Sequence, residues 1–248
     1  MIKKLILAWA LGLAAFSPSW AAGGGAPWDK FPAERLNDLA ALQNGAKLFA
    51  NYCLNCHQAG FMRYNRMRDI GLTEAQIKDN LIFTDAKVGD LMKSAMETKD
   101  AKEWLGAAPP DLTLITRSRS AAGKGTGSDY VYTFLRTFYR DDARPTGWNN
   151  AVFPSTGMPN VLWELQGQQR AVLDPQTHLV KGYEPISQGT MSTESFNTAV
   201  ADLVAYMTWM GDPVAKTRVR VGVWVLIFLA VFTVIAWRLN AAFWKDVK

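Results

Sequence analysis

The stretch Cys53-Leu54-Asn55-Cys56-His57 constrains this chain more than any other. It contains the only two cysteines among 248 residues and one of only two histidines. C-x-x-C-H is the attachment sequence of a c-type haem. Two thiols three residues apart can each add to one haem vinyl group. The histidine directly after the second thiol is then placed to bind the iron as proximal ligand. The motif therefore predicts one covalent haem c on Cys53, Cys56 and His57. A thioredoxin-like dithiol needs a strand and turn ahead of the motif, whereas residues 43–52 read as a helix running into it. A zinc site needs four ligands, and the other histidine, His178, lies far along the chain.

Thioether haem attachment belongs outside the cytoplasm, and both chain ends agree. Lys3-Lys4, the apolar run Leu5–Phe16 and Ser19-Trp20-Ala21 form a secretory signal peptide, 1–22. The run lacks the Arg- and Ser-rich character of a transit peptide, so the expected compartment is a bacterial periplasm. At the other end, Val221–Trp237 is apolar throughout, bracketed by Arg220 and Arg238, with Trp224 and Trp237 near its ends. It reads as one transmembrane anchor spanning about 220–238. The flanking cations balance and do not orient it. The signal peptide does, placing the haem domain 23–215 in the periplasm and the C-terminus of the 216–248 anchor in the cytoplasm of an inner-membrane, single-pass protein.

Charge follows the same division. Lys3 and Lys4 contribute +2 and residues 216–248 a net +5, so residues 22–215 carry −2 of the overall +5. The basic balance belongs to the membrane-flanking ends, where it meets lipid, and is not a nucleic-acid signal. Gly123-Lys124-Gly125-Thr126-Gly127 is likewise no phosphate loop: that motif needs Gly at Ser118 and Ser or Thr at Gly125.

The fold expected between the ends is mostly α, a c-type cytochrome domain. Leu36, Leu39, Leu42, Ala46, Phe49 and Cys53 recur at helical spacing and predict one helix over 33–52 that delivers Cys53 to the haem. Gly45 lies on that face and marks the close approach of another helix. The expected partner starts at the N-cap Ser192, carries the stripe Phe196, Val200, Leu203, Val204, Met207 and Met210, and stops at Gly211-Asp212-Pro213. Residues 60–107 are expected to be mostly helical, with Met92 and Met96 one turn apart as packing residues. Pro109-Pro110 makes a stiff extended segment. Ser128 is expected to cap a short helix through Phe138, and 164–190 to form a surface hairpin around Asp174-Pro175-Gln176-Thr177.

A haem bound only by His57 keeps an open iron position for gas or peroxide, whereas a second strong ligand makes electron transfer the expected role. Met158, in the stiffened loop Phe153-Pro154-Ser155-Thr156-Gly157-Met158-Pro159, is the leading candidate. Met191 and His178 stay open beside it.

Several segments in order resemble the cytochrome c1 family, the haem subunits of cytochrome bc1 complexes. They are Trp28, Cys53 to His57, Pro109-Pro110-Asp111-Leu112, Asp129-Tyr130-Val131, Phe153-Pro154 to Met158-Pro159, Met191-Ser192 and the single C-terminal anchor. The resemblance implies that Met158 is the sixth ligand, that Pro110 packs on the ring and that Arg119, within Thr116-Arg117-Ser118-Arg119, reaches a propionate. It implies electron transfer from a Rieske iron–sulfur protein to a soluble or membrane-bound cytochrome c, with cytochrome b beside the anchor in a dimeric complex. On this reading the chain is an electron-transfer subunit of a quinol–cytochrome c reductase and no enzyme on its own. The rival readings are a stand-alone anchored cytochrome c feeding a terminal oxidase, and a five-coordinate haem sensor or enzyme.

Overall fold

Asp38 starts the first α-helix. The computed structural model describes residues 26–177 and 179–245, the side chain of Lys216 excepted, so the expected signal peptide and His178 lie outside the described residues. The single helix expected over 33–52 is three pieces: a 3₁₀ segment Ala33–Asn37, helix α1 (Leu39–Leu48) and a π turn Phe49–Cys53. The break has a local cause. The Asp38 carboxylate accepts from the amides of Ala40 and Ala41 at 2.9 and 3.3 Å, which holds Asp38 itself extended.

Residues 60–107 also differ from the sequence reading. Strand β1 (Ala59–Arg63), a 3₁₀ run Tyr64–Ile70, helix α2 (Glu74–Leu81), strand β2 (Leu91–Met92) and helix α3 (Thr98–Leu105) follow in order. β1 and β2 pair antiparallel through Ala59 and Met92, so Met92 lies on a strand and Met96 in the turn after it, not on one helix. Met92 is nonetheless a packing residue, fully buried with its sulfur accepting from the Tyr206 hydroxyl at 3.5 Å. A two-residue strand has no pattern of its own; tertiary pairing made it.

Helix α4 (Ile115–Ser118) leads to α5 (Gly127–Arg136), which ends before Phe138. Its cap is Thr126 rather than Ser128. Both residue types can cap, but Asp129 stands three places after Thr126 and closes a capping box, its carboxylate taking the Thr126 amide at 2.9 Å. Asp129 also accepts from the Phe31 amide (2.8 Å) and Lys30 (3.1 Å), strapping the N-terminal segment across α5. Burial works against that charge, yet these hydrogen bonds outweigh it and hold the carboxyl at about 2.

Strands β3 (Phe138–Arg140) and β4 (Trp148–Asn150) form a second ribbon, and the short helix α6 (Trp163–Gln166) leads into the third. The expected hairpin is that third ribbon, β5 (Gly167–Leu173) against β6 (Val180–Gln188), antiparallel and largely exposed. Asp174 shapes its turn, accepting from the amides of Gln176 and Thr177 at 2.8 Å each.

Helix α7 (Thr193–Gly211), capped by Ser192 as expected, crosses α1 at the centre of the core. A Cβ on Gly45 would lie 2.1 Å from the Asp202 carbonyl oxygen, so the backbones meet where only glycine fits. Phe49 packs on Tyr206 with ring centroids 5.5 Å apart. The apolar stripe holds one charge the periodicity passed over. Asp202 is buried, paired with Arg35, whose Nε donates at 2.8 Å, and bonded by Asn44 at 2.8 Å.

Helix α8 (Ala215–Phe243) leaves the domain after three residues and is exposed along its length. It extends beyond the expected 220–238 at both ends. Its apolar part, Thr217–Phe243, is long enough to cross a bilayer.

The crossing yields the first prediction. Gly45→Ala forces α1 and α7 apart and costs on the order of 1–3 kcal/mol. That lowers the thermal midpoint of the domain by several degrees, about 2–4 °C per kcal/mol for a chain of this size, measured by circular dichroism.

Candidate haem site

The Cys–His turn is wound tightly by its own backbone. The π turn closes with the Leu54 amide on the Phe49 carbonyl at 3.0 Å. The amides of Cys56 and His57 both return to the Cys53 carbonyl, at 3.2 and 2.9 Å. Asn55 is held from both sides, its side chain donating to the Asn51 carbonyl (3.2 Å) and its own carbonyl accepting from the Ser94 hydroxyl (2.7 Å). Both cysteines are free thiols. Cys53 is buried, and that burial, with Cys56 beside it, pushes its thiol up to about 12, so it stays protonated at neutral pH.

His57 is oriented by the proline segment. Its Nδ1 donates to the Pro110 carbonyl at 2.8 Å, which puts the ring proton on Nδ1 and leaves the lone pair on Nε2. Burial lowers its pKa, against the opposing effects of the Pro110 carbonyl and the Asp111 charge, and so favours the neutral imidazole that binds metal.

Pro109-Pro110-Asp111-Leu112 is clamped to the chain just past His57. The Asp111 carboxylate accepts from the Gly60 amide at 2.7 Å and from the Thr113 amide at 2.8 Å. The Leu112 amide donates to the Gln58 carbonyl at 2.9 Å. Sequence reasoning valued this segment for its prolines. The Pro110 carbonyl is what ties it to His57, and the Asp111 carboxylate and Leu112 amide tie it to Gly60 and Gln58 just beyond.

Met158 lies half-buried in the loop after β4, and that loop is pinned by buried asparagines the sequence reading passed over. Asn150 Oδ1 accepts from the amides of Val152 (2.9 Å) and Phe153 (3.1 Å). Asn149 Oδ1 takes the Ser155 amide (2.8 Å), and Asn160 Oδ1 takes the Leu162 amide (3.0 Å). The adjacent pair Asn149-Asn150 at a strand end, just ahead of Pro154, was the available signal. Among the described residues no hydrogen bond joins this loop to the Cys–His turn. Met62, Met67, Met92, Met207 and Met210 are enclosed by protein side chains, whereas Met96 is half-buried and Met191 is half-buried beside the core.

The two arginines separate clearly. Arg117 engages Asp212 and the Gly211 carbonyl, at 3.6 and 3.5 Å. Arg119 is exposed and lies over the Tyr130 ring, 5.8 Å from its centroid, with Trp28 edge-on to the same ring at 5.1 Å. Among the described residues no group of three or more His, Cys, Asp or Glu side chains could hold a metal ion. The donor set fits a haem c: two uncrosslinked thiols within one turn and an imidazole whose Nε2 is unengaged among the described residues.

The comparisons with known proteins agree. The Cytochrome C1 family matches residues 28–247. A cytochrome c1 of Allochromatium vinosum is 44% identical over 99% of this chain and 100% of its own length. A Nitrosomonas europaea protein named ammonia monooxygenase gamma subunit is 44% identical over 100% of this chain and 99% of its own. A cytochrome b/c1 of Bradyrhizobium diazoefficiens is 23% identical over 92% of this chain, which spans 35% of that protein. Fold and family define a c-type cytochrome with a C-terminal membrane helix, a haem-bearing electron-transfer subunit. The chain belongs to the cytochrome c1 family.

The loop pinning is testable. Asn150→Ala removes the acceptor shared by Val152 and Phe153, each hydrogen bond worth about 1 kcal/mol. Amide exchange at those two positions is expected to quicken by about fivefold, measured by hydrogen–deuterium exchange.

Proposed function

We propose that this chain carries one haem c, joined by thioethers to Cys53 and Cys56 and ligated by His57 and Met158, and passes single electrons from a Rieske iron–sulfur protein to a cytochrome c. The observation that carries the reading is the His57 Nδ1–Pro110 carbonyl bond within an intact C-x-x-C-H turn, which leaves the Nε2 lone pair of the neutral ring for a metal. The haem supplies a reversible one-electron couple at iron.

The residues around it have separable tasks. Cys53 and Cys56 fix the cofactor covalently. The Pro110 carbonyl sets the His57 tautomer and raises its basicity as a ligand. The asparagine-pinned loop supports the choice of Met158, since a thioether held by a stiff loop would be a lasting ligand and would keep oxygen and peroxide from the iron. Arg117 is occupied by Asp212, which favours Arg119 as the cation for a propionate. Pro110 would pack against the ring.

The surrounding assembly is proposed on the family and on the anchor. The helix Thr217–Phe243 carries one charge inward of its ends, Arg238, besides the two arginines of its first turn. It is read as a docking element against cytochrome b and not as a proton path. Quinol oxidation then belongs to other subunits of a dimeric complex in a bacterial inner membrane, with 1–22 removed as signal peptide, the haem domain periplasmic and the C-terminus cytoplasmic.

Two outcomes are expected. In material purified gently through this chain, ascorbate-reduced minus oxidised spectra show a c-type haem, and dithionite minus ascorbate spectra show a b-type haem. A c-type haem that stays alone under milder solubilisation replaces the complex with a stand-alone carrier. Met158→Leu is expected to give a high-spin ferrous spectrum and rapid carbon monoxide binding. Unchanged spectra and reactivity overturn the methionine assignment.

A further inference from the structure

We propose that Asp212 is a positioning residue: its carboxylate ties Arg117 of the haem domain to Arg218 of the anchor and so sets the attitude of the haem domain on its membrane helix. The geometry is a shared carboxylate between two arginines. Arg218 meets it in a fork, Nη1 on Oδ1 at 2.8 Å and Nη2 on Oδ2 at 2.5 Å. Arg117 approaches Oδ2 at 3.6 Å and also donates to the Gly211 carbonyl at 3.5 Å. The hydrogen bond from Arg218 keeps the Asp212 carboxyl below the ordinary carboxylate range, so it is ionised at neutral pH.

The position explains why such a tie is needed. Only residues 212–214 separate α7 from α8, and the dihedrals of Asp212 and Val214 would otherwise act as a swivel beside Pro213. Two backbone bonds tighten the corner, the Asp212 amide to Trp209 at 3.0 Å and the Ala215 amide to the Asp212 carbonyl at 3.1 Å. Neither crosses to the rest of the domain. The Asp212 side chain does. Through Arg117 it reaches α4, which follows the segment whose Leu112 amide bonds Gln58 and whose Pro110 carbonyl bonds His57. The anchor and His57 are thus joined by a short path: the hydrogen-bonded Arg218–Asp212 fork, the Asp212–Arg117 ion pair, the backbone from Arg117 back to Pro110, and the Pro110–His57 hydrogen bond. The arginine side chains are 59% and 60% exposed against 18% for Asp212, and pairs this exposed add little stability. What a forked pair adds is direction. Electron transfer falls steeply with the separation of the redox centres, so a domain free to swivel would spread that separation.

The proposal rests on the haem reading above, and the experiment separates the two. The full-length haem-loaded chain is dried into stacked, oriented lipid bilayers, and the angle dependence of its ferric haem electron paramagnetic resonance is recorded. The parent chain is expected to give a low-spin signal with sharp angle dependence. Asp212→Asn is expected to lose that dependence while keeping the midpoint potential, and Asp212→Glu to restore it. Absence of any ferric haem signal in the parent overturns the haem reading and this proposal with it, whereas a high-spin signal overturns only the Met158 ligation and its angle dependence is read in the same way. A parent signal whose angle dependence survives in Asp212→Asn overturns the tie alone. Should Asp212→Asn accumulate no haem, Arg218→Gln is read instead: loss of the angle dependence supports the tie, and its persistence overturns it.

Discussion

The contact on which the rest depends is backbone against backbone, where Gly45 of α1 meets the Asp202 carbonyl of α7. A side chain at Gly45 would hold the helices apart, and the aromatic and aliphatic stripes could not interlock. Because α1 runs through the π turn into Cys53, the crossing also fixes where the first thiol stands. The Arg35–Asp202–Asn44 cluster sits at the same point. A buried pair of this kind adds little net stability, since desolvation offsets the attraction. Its effect is on register: sliding α7 by one turn would strand a buried carboxylate without its partners.

From that frame the site is built by loops tied to one another, and mostly through backbone atoms. Pro110, Gln58, Gly60 and Leu112 act through carbonyls and amides, and Asp111, Ser94 and Asn150 exist locally to satisfy such groups. A cofactor that supplies its own redox chemistry asks its protein for placement and for control of solvent access. Rigid loops with saturated hydrogen bonds meet that demand without any catalytic side chain.

Much of this was legible in the residues because it is local. C-x-x-C-H, the Ser192 cap, the Asp174 turn, Gly45 and the apolar run of the anchor each state their role within a few positions. What was not legible depends partly on side chains competing locally for backbone amides and partly on partners distant in sequence. Asp38 and Asp129 each compete for backbone amides, and periodicity alone extended one helix too far toward its start and mistook the cap of another. β2 exists because β1 lies beside it. Asn149, Asn150 and Asn160 look like ordinary loop residues until their burial is seen. Arg117 and Arg119 are indistinguishable in sequence, two positions apart, and separate only when Asp212 arrives from the far end of the domain.

That last separation connects the site to the membrane. One aspartate at the end of α7 both engages the nearer arginine and grips the helix that leaves the domain. On the proposed reading, removing a competitor for the propionates and steadying the domain on its anchor would be two consequences of a single carboxylate. The segment 211–213, read in sequence as no more than a helix stop, is where the haem domain's internal order meets its external placement. A protein whose task is to hold a redox centre at a set distance from partners has reason to join the two there.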